Sequence, residues 1–92
     1  MTSRAVTVSN DLGLHARAAA RFVQLASRFE SRIRIGRDGK ATDGKSILGI
    51  LLLAAARGTT LTISAEGPDE ASAVDALVRL VESRFDEESW SV

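Results

Sequence analysis

The stretch "SRIRIGRDGKAT", Ser31 to Thr42, carries the clearest local signal of the fold. Ile33 and Ile35 alternate with arginines, a period of two that is typical of a strand with one buried face. Asp38-Gly39 follows, a residue pair that favours a two-residue hairpin turn because both turn positions need a positive φ. The stretch therefore predicts two antiparallel strands, the second one short and centred on residues 40–42.

Upstream of this hairpin, the sequence predicts a strand and an amphipathic helix. In "RAVTVS", Val6 and Val8 alternate with polar residues, which indicates a first strand. From Ala16 onward, apolar residues recur at spacings of three and four and form one helical face: Ala19, Phe22, Val23, Ala26 and Phe29. The opposite face is polar and largely basic: Arg17, Arg21, Gln24 and Arg28.

Downstream of the hairpin, two helices flank one more strand. "DGKSILGILLLAAARG" predicts a short, very apolar helix with Ser46 as N-cap and Arg57-Gly58 at its end. "TTLTISAEG" alternates like a strand, and Asp69 after Gly67-Pro68 is expected to cap a third helix. The order β-α-β-β-α-β-α is a split βαβ pattern with one additional helix. We therefore predict an α+β fold in which helices cover one face of a four-stranded sheet.

Composition narrows the class of protein. The 92 residues fit one domain, 1–92, in which we expect the acidic segment 86–92 to be a flexible tail. The absence of cysteine excludes disulfides and thiolate chemistry and favours a reducing compartment. No stretch is long and apolar enough to insert into a membrane, and the N-terminal residues do not resemble a signal peptide. We therefore expect a cytoplasmic protein.

The net charge is zero, but it is unevenly distributed. Residues 1–57 contain ten Lys/Arg and four Asp/Glu, whereas residues 58–92 contain two and eight. If the basic residues share a face, that face would attract an acidic partner or a phosphate; the alternative is solvated charge without a role.

His15, the only histidine, lies where the loop "NDLG" leads into the first predicted helix. The first amides of a helix have no carbonyl partner inside it, so the backbone at Ala16, Arg17 and Ala18 should favour an anion beside the imidazole. The helix dipole also favours the neutral imidazole, whose ring nitrogen can act as a nucleophile. If that nitrogen accepts a phosphoryl group, Arg17 adds a guanidinium suited to phosphate oxygens. The alternative is a histidine that only caps the helix.

Several other kinds of site are poorly supported by the sequence. One histidine without cysteines or clustered carboxylates cannot supply the three or four ligands of a zinc site, so we expect no metal and no cofactor. A serine-type triad lacks a carboxylate near His15 in sequence other than Asp11. The predicted strands contain no aromatic residue on which bases could stack, which argues against nucleic-acid binding.

Two motifs, "GLHAR" around His15 and "GKSILGI" around Ser46, resemble those of the HPr family at the same spacing. This family comprises the small phosphocarriers of the bacterial phosphoenolpyruvate-dependent sugar phosphotransferase system. The resemblance extends from Ala5 to about Phe85 and implies an open-faced β-sandwich, a four-stranded antiparallel sheet with three helices on one side. It also implies that enzyme I phosphorylates His15, that Arg17 steadies the phosphate, and that a IIA domain receives the group.

The resemblance implies further roles on the second helix. Ser46 matches a serine that an HPr serine kinase/phosphorylase modifies in many members, although helix capping alone would explain a serine there. A partner-docking surface around His15 would combine residues from both helices: Ala20, Arg21, Gln24, Ile47, Leu48 and Leu51. A wholly buried second helix is the alternative. We expect the protein to be a monomer. In phosphoryl transfer we expect it to be a reactant as much as a catalyst, because it carries the phosphoryl group itself.

Three questions stay open at the level of sequence. The family usually has proline where this chain has Ala18, and we expect phosphorylation to be retained at an altered rate. Leu12 and the end "FDEE" resemble members of regulatory relays, whereas "KSILGI" resembles members controlled by the serine kinase, so sugar uptake and a regulatory relay are both possible. A different class of function is a non-catalytic regulatory module that binds through the apolar helix with His15 unphosphorylated.

Overall fold

Seven elements follow one another in the predicted order. The computed structural model describes residues 1–86. Its elements are β1 (Thr2–Thr7), α1 (Ala16–Ala26), β2 (Arg32–Arg37), β3 (Lys40–Asp43), α2 (Ile47–Leu52), β4 (Thr60–Glu66) and α3 (Glu70–Glu82). The strands form one antiparallel sheet in the spatial order β1-β4-β2-β3. The predicted α+β fold with a four-stranded sheet and three helices is confirmed.

The register of the sheet places its apolar side chains on one face. Val6 of β1 lies opposite Leu61 of β4, and Ile63 of β4 lies opposite Ile35 of β2; all four side chains are buried. Because side chains alternate along a strand, the neighbouring polar residues of these strands face the other way. Exposed Thr62 and Arg34 are examples of that second face, which no helix of residues 1–86 covers. The sheet is therefore open on one side.

The three helices bury their apolar stripes against the closed face of the sheet. The largest fully buried side chains come from helices, strands and the turn after α3: Phe22, Phe85, Ile33, Ile35, Ile50, Leu61, Ile63 and Leu77. α1 also contacts α2 and α3. These contacts fix the start of α1, where His15 lies, relative to α2.

The hairpin between β2 and β3 follows the prediction. Asp38 has φ 47° and Gly39 has φ 80°, so both turn residues are left-handed, as a two-residue turn of this kind requires. The strands pair from Arg34 opposite Asp43 to Arg37 opposite Lys40.

The end of α2 differs from the prediction. The helix stops at Leu52 rather than near Arg57, because Ala54 adopts a left-handed conformation with φ 50°. Gly58 instead belongs to the turn before β4, where its N–H donates to the Val8 carbonyl at 2.8 Å. A continuous apolar run concealed this stop, since alanine usually continues a helix.

The role predicted for Asp69 also needs correction. Asp69 occupies the N-cap position of α3, but its side chain makes no capping hydrogen bond. Its carboxylate accepts hydrogen bonds from the Ser31 hydroxyl and from the amides of Glu30 and Ser31, at 2.9 and 3.0 Å for the amides. The Ser31 hydroxyl first, and then the Glu30 amide, lower the pKa of Asp69 below its ordinary value. Asp69 therefore joins the start of α3 to the loop before β2.

Two further expectations concern the chain ends and membranes. Of the predicted tail 86–92, only Asp86 is among the described residues, where it is exposed; residues 87–92 lie outside them. No helix within residues 1–86 has the length and apolar character needed to cross a membrane.

Candidate functional site

His15 forms the N-cap position of α1 in an extended conformation, with φ −79° and ψ 178°. Its carbonyl accepts the Ala19 N–H at 2.9 Å, which begins the helix, and its own N–H donates to the Gly13 carbonyl at 2.9 Å. The imidazole makes no capping hydrogen bond, and the residue is half-buried. The backbone of His15 therefore starts the helix, whereas its ring is not the cap.

The loop before His15 is built on the segment that follows α2. Asn10 is buried, and its Nδ2 donates to the Gly13 carbonyl at 2.8 Å. Leu14 is buried as well, and its N–H donates to the Ala55 carbonyl at 2.9 Å. Gly13 has φ +66°, and a Cβ on it would lie 2.5 Å from that same Ala55 oxygen. Only glycine lets the loop lie this close to the 53–58 segment, a contact that no sequence motif predicted.

The start of α1 suits an anion. Ala16, Arg17 and Ala18 occupy its first turn, whose amides point out of the helix, and the dipole of an eleven-residue helix adds to them. The first turn contains no acidic residue, so no carboxylate of the helix competes with an incoming anion. Arg17 is exposed and brings a guanidinium two residues from His15, while Ala18 is buried. The three residues predicted to bind phosphate therefore share the first turn with His15 at its head.

α2 presents an apolar surface beside α1. Ser46 is its N-cap, with Oγ accepting the Gly49 N–H at 3.0 Å, as predicted. Ile47 and Leu48 are 43% and 67% exposed, whereas Leu51 is half-buried against the core. Among the helix residues only Ile50 is buried. The alternative of a wholly buried helix is therefore wrong.

Two exposed leucines, Leu12 and Leu52, were not among the predicted docking residues. Leu52 at the end of α2 is 72% exposed, and Leu12 in the loop before His15 is 71% exposed. Leu12 lies in the loop held against the segment after α2, and Asp11 beside it forms an ion pair with Arg57 at 2.8 Å. The exposure of Leu52 could have been predicted from helical spacing, because its position relative to buried Ile50 and Leu53 places it on the outer side of a helix.

The predicted docking residues of α1 differ in exposure. Gln24 is exposed, while Ala20 and Arg21 are half-buried. Arg21 lies 3.9 Å from the Asp86 carboxylate, beside a cavity of about 270 Å³ between α1 and α3. The two predicted sets of residues lie on helices that contact each other, α1 and α2.

No cluster of three His, Asp or Glu side chains within residues 1–86 is arranged to hold a metal ion. Near the start of α1, the groups that could act on an anion are the His15 imidazole, the amides of the first turn and the Arg17 guanidinium.

A one-sided sheet with a single histidine at the head of an acid-free helix start defines a small domain of the histidine-phosphocarrier class. The family model "PTS HPr component phosphorylation site" matches residues 2–83, and the chain belongs to this family, HPr. The phosphocarrier protein HPr of Cupriavidus necator is 48% identical over 87 residues, which cover 95% of this chain and 98% of that protein.

Two solved structures support the assignment. HPr of Thermoanaerobacter tengcongensis matches with a TM-score of 0.90 at 46% identity, over 94% of this chain and 97% of that one. Crh of Bacillus subtilis, a catabolite repression protein crystallised as a domain-swapped dimer, matches with a TM-score of 0.74 at 42% identity, over 91% and 97%. The recognition made from the two sequence motifs, and the open-faced β-sandwich that it implied, are confirmed.

Proposed function

We propose that the protein accepts a phosphoryl group on His15 from phosphorylated enzyme I, which obtains it from phosphoenolpyruvate, and passes it to a IIA component. One observation carries this proposal: the imidazole at the head of α1 does not cap the helix, and the first turn contains no acid. Membership of the HPr family supports the same role.

The transfer needs little chemistry from the carrier itself. A lone pair on an imidazole nitrogen of His15 forms the bond to phosphorus as the bond between phosphorus and the donor atom of enzyme I breaks. The phosphoryl oxygens keep their negative charge, which the amides of the first helical turn and the Arg17 guanidinium can stabilise. In the transfer to a IIA component, the bond between phosphorus and the imidazole nitrogen breaks as a bond forms between phosphorus and the acceptor atom of that component. Phosphoryl transfer depends mainly on positioning and charge stabilisation, so a domain of this size can take part while its partners supply the remainder.

The exposed apolar side chains of α2 support brief docking of these partners. Leu48 and Leu52 are large and exposed on α2. α2 contacts α1, which carries basic residues along its polar side. An apolar centre with a basic margin fits a partner whose concave apolar surface is edged with acids. The proposal covers both sugar uptake and a regulatory relay, which differ in the IIA component and share the phosphohistidine.

We further propose that Ser46 is a regulatory phosphorylation site for an HPr serine kinase/phosphorylase. The Oγ of Ser46 is engaged as the N-cap of α2, and the residue is half-buried. Phosphorylation would replace that capping hydroxyl with a phosphate beside the predicted docking residue Ile47 and would hinder partner binding by its bulk and charge. Incubation with a purified kinase of this type and ATP, comparing wild type with Ser46→Ala by intact mass, tests the site.

The oligomeric state and the cellular location stay predictions. We propose a monomer; the Crh relative shows that a similar fold can also exchange segments between two copies. Light scattering during gel filtration distinguishes the two states. The cytoplasm remains the expected location, and fractionation of the source cells tests it.

Intact-mass analysis after incubation with phosphoenolpyruvate and a purified bacterial enzyme I tests the main proposal. We expect one phosphate on wild type, lost on acidification, and none on His15→Ala. Arg17→Ala should still accept phosphate, but slowly. Arg32→Ala, which removes an exposed arginine of β2 outside the predicted docking residues, is the matched control and should react like wild type.

The same assay separates the alternative function. No adduct on wild type, even with enzyme I from the source organism, would refute the phosphocarrier proposal. In that case a binding module remains, for which His15→Ala would leave partner binding and biological effect unchanged. If wild type is phosphorylated, a sugar-specific or a regulatory IIA protein is added next. Whichever IIA protein accepts the phosphate identifies the pathway.

A further inference from the structure

Arg37, at the end of β2, binds the carbonyl end of α2. Its Nη1 lies 3.1 Å from the Ala54 carbonyl oxygen and 3.5 Å from that of Leu53. On the other side, Nε and Nη2 donate to the Asp38 carboxylate at 3.0 and 2.9 Å. The Arg37 side chain is 29% exposed. One guanidinium therefore joins the β2–β3 hairpin to the point where α2 ends.

This contact lies at a strained point of the backbone. Ala54 has φ 50°, a conformation that glycine adopts freely after a helix but that an alanine side chain disfavours. The hydrogen bond from Arg37 to the Ala54 carbonyl compensates for part of that cost and favours this conformation over continuation of the helix. The hairpin also supplies the carboxylate that binds Arg37, because Asp38 is the next residue and the first of the hairpin turn.

The segment held in this way supports the loop of His15. Ala55, the next residue, accepts the Leu14 N–H at 2.9 Å, and Leu14 directly precedes His15. Two hydrogen bonds therefore connect Arg37 to the backbone beside the imidazole, one to the Ala54 carbonyl and one from Leu14 to the Ala55 carbonyl.

We propose that Arg37 is a positioning residue for phosphoryl transfer: it fixes the turn after α2 and, through Ala55 and Leu14, the placement of His15. This inference rests on the proposed phosphocarrier function. Small displacements of a reacting group reduce the rate strongly, because transfer requires the attacking atom in line with the bond that breaks. Lysine should replace Arg37 poorly, since a single ammonium cannot reproduce a planar fork that binds a carboxylate on one side and carbonyls on the other.

The test compares Arg37→Ala and Arg37→Lys with Arg32→Ala. Arg32 is the matched control because it is an exposed arginine of the same strand without a hydrogen bond or ion pair to α2 within residues 1–86. Two quantities are measured at a temperature at which all four proteins are folded by circular dichroism. The first is the single-turnover rate of phosphate transfer from saturating phosphorylated enzyme I. The second is the hydrogen-exchange rate of the Leu14 amide relative to that of the Ile63 amide in β4.

For Arg37→Ala we expect transfer to slow by about tenfold and Leu14 exchange to accelerate by about tenfold, the effect of losing one hydrogen bond to a charged group. Arg37→Lys should change both rates in the same direction but by a smaller factor. If Arg37→Ala does not fold, Arg37→Lys still tests the inference. Arg32→Ala should stay within twofold of wild type. Unchanged transfer or unchanged Leu14 exchange in both Arg37 variants would overturn the inference.

Equal acceleration at Leu14 and Ile63 would also overturn it, because Arg37 would then contribute only to global stability. Failure of wild type to accept phosphate would refute the proposed function instead, and the Leu14 exchange would still report whether Arg37 holds the loop.

Discussion

Substitution of Gly13 by alanine tests how closely the His15 loop lies against the segment after α2. The new Cβ would lie 2.5 Å from the Ala55 oxygen and 3.0 Å from the Ala56 Cα. Both atoms belong to the backbone, so no side-chain rotation can relieve the contact. Gly13 also has φ +66°, where an L side chain costs about 1 kcal/mol or somewhat more.

Gly39→Ala supplies the matched control. Gly39 has a similar φ of +80°, but its Cβ would meet no atom within 4 Å. This variant should therefore lose only the backbone cost, about 1 kcal/mol. Gly13→Ala should lose that and a further ~1–3 kcal/mol for overpacking, about 2–4 kcal/mol altogether.

Urea unfolding at neutral pH, followed by circular dichroism, measures both free energies of unfolding. We also expect the Leu14 amide resonance to move in Gly13→Ala and to stay in place in Gly39→Ala, because only the former displaces the Ala55 oxygen. If the two variants lose the same free energy of unfolding, within about 0.5 kcal/mol, the close contact does not constrain the loop and the reasoning fails.

Four further predictions concern stability. The pKa of Asp69 is lowered in the folded protein, so its hydrogen bonds with Ser31 stabilise the fold fully at pH values above the ordinary pKa of 3.8. This stabilisation is lost as the pH falls through the pKa of Asp69 in the folded protein. Asp69→Asn should therefore differ from wild type at pH 7 and approach it at low pH in unfolding titrations; a constant difference would contradict this. Ser46→Ala should cost about 1 kcal/mol through loss of the α2 cap, measured by urea unfolding, and a neutral effect would be contrary evidence. Phe85→Ala should cost about 3–5 kcal/mol, since its ring is fully buried; thermal unfolding close to that of wild type would show that the turn after α3 is not part of the core. Ala54→Gly should stabilise by about 1 kcal/mol, because glycine tolerates φ 50°, and a loss of stability would refute the assignment of strain there.

Local patterns predicted most of the elements. The alternation around Ile33, the Asp38-Gly39 pair and the Ser46 cap each depend on residues within a few positions, and the structure has all three as expected. The order of the elements followed from these patterns together with the helical periodicity after Ala16.

The errors arose where distant residues compete for a group. Asp69 was expected to cap its own helix, but Ser31 and Glu30, almost forty residues earlier, donate to its carboxylate. α2 was expected to continue to Arg57, but the turn at Ala54 depends on a guanidinium seventeen residues upstream. Sequence periodicity does not contain these pairings, which exist only once the sheet and the helices are assembled.

The candidate site was predictable in part for the same reason. His15, its helix start and the serine of α2 form local motifs, and the sequence located them. The support of the loop by Ala55 joins positions about forty residues apart, and the half-buried position of Leu51 depends on how α2 rests on the core. The conformation of Gly13 was the one available indication that the loop lies close to another part of the backbone.

The central position of β4 has a consequence for how the chain folds. β4 pairs with both β1 and β2, yet it is the last of the strands within residues 1–86 to leave the ribosome, and its partners in β1 lie more than fifty residues earlier. Until β4 is available, β1 has no neighbouring strand in this sheet, and only the β2–β3 hairpin can form from local contacts. Pairings of such long range are slow to form, so we expect the rate of refolding to depend on the docking of β4 between its two neighbours.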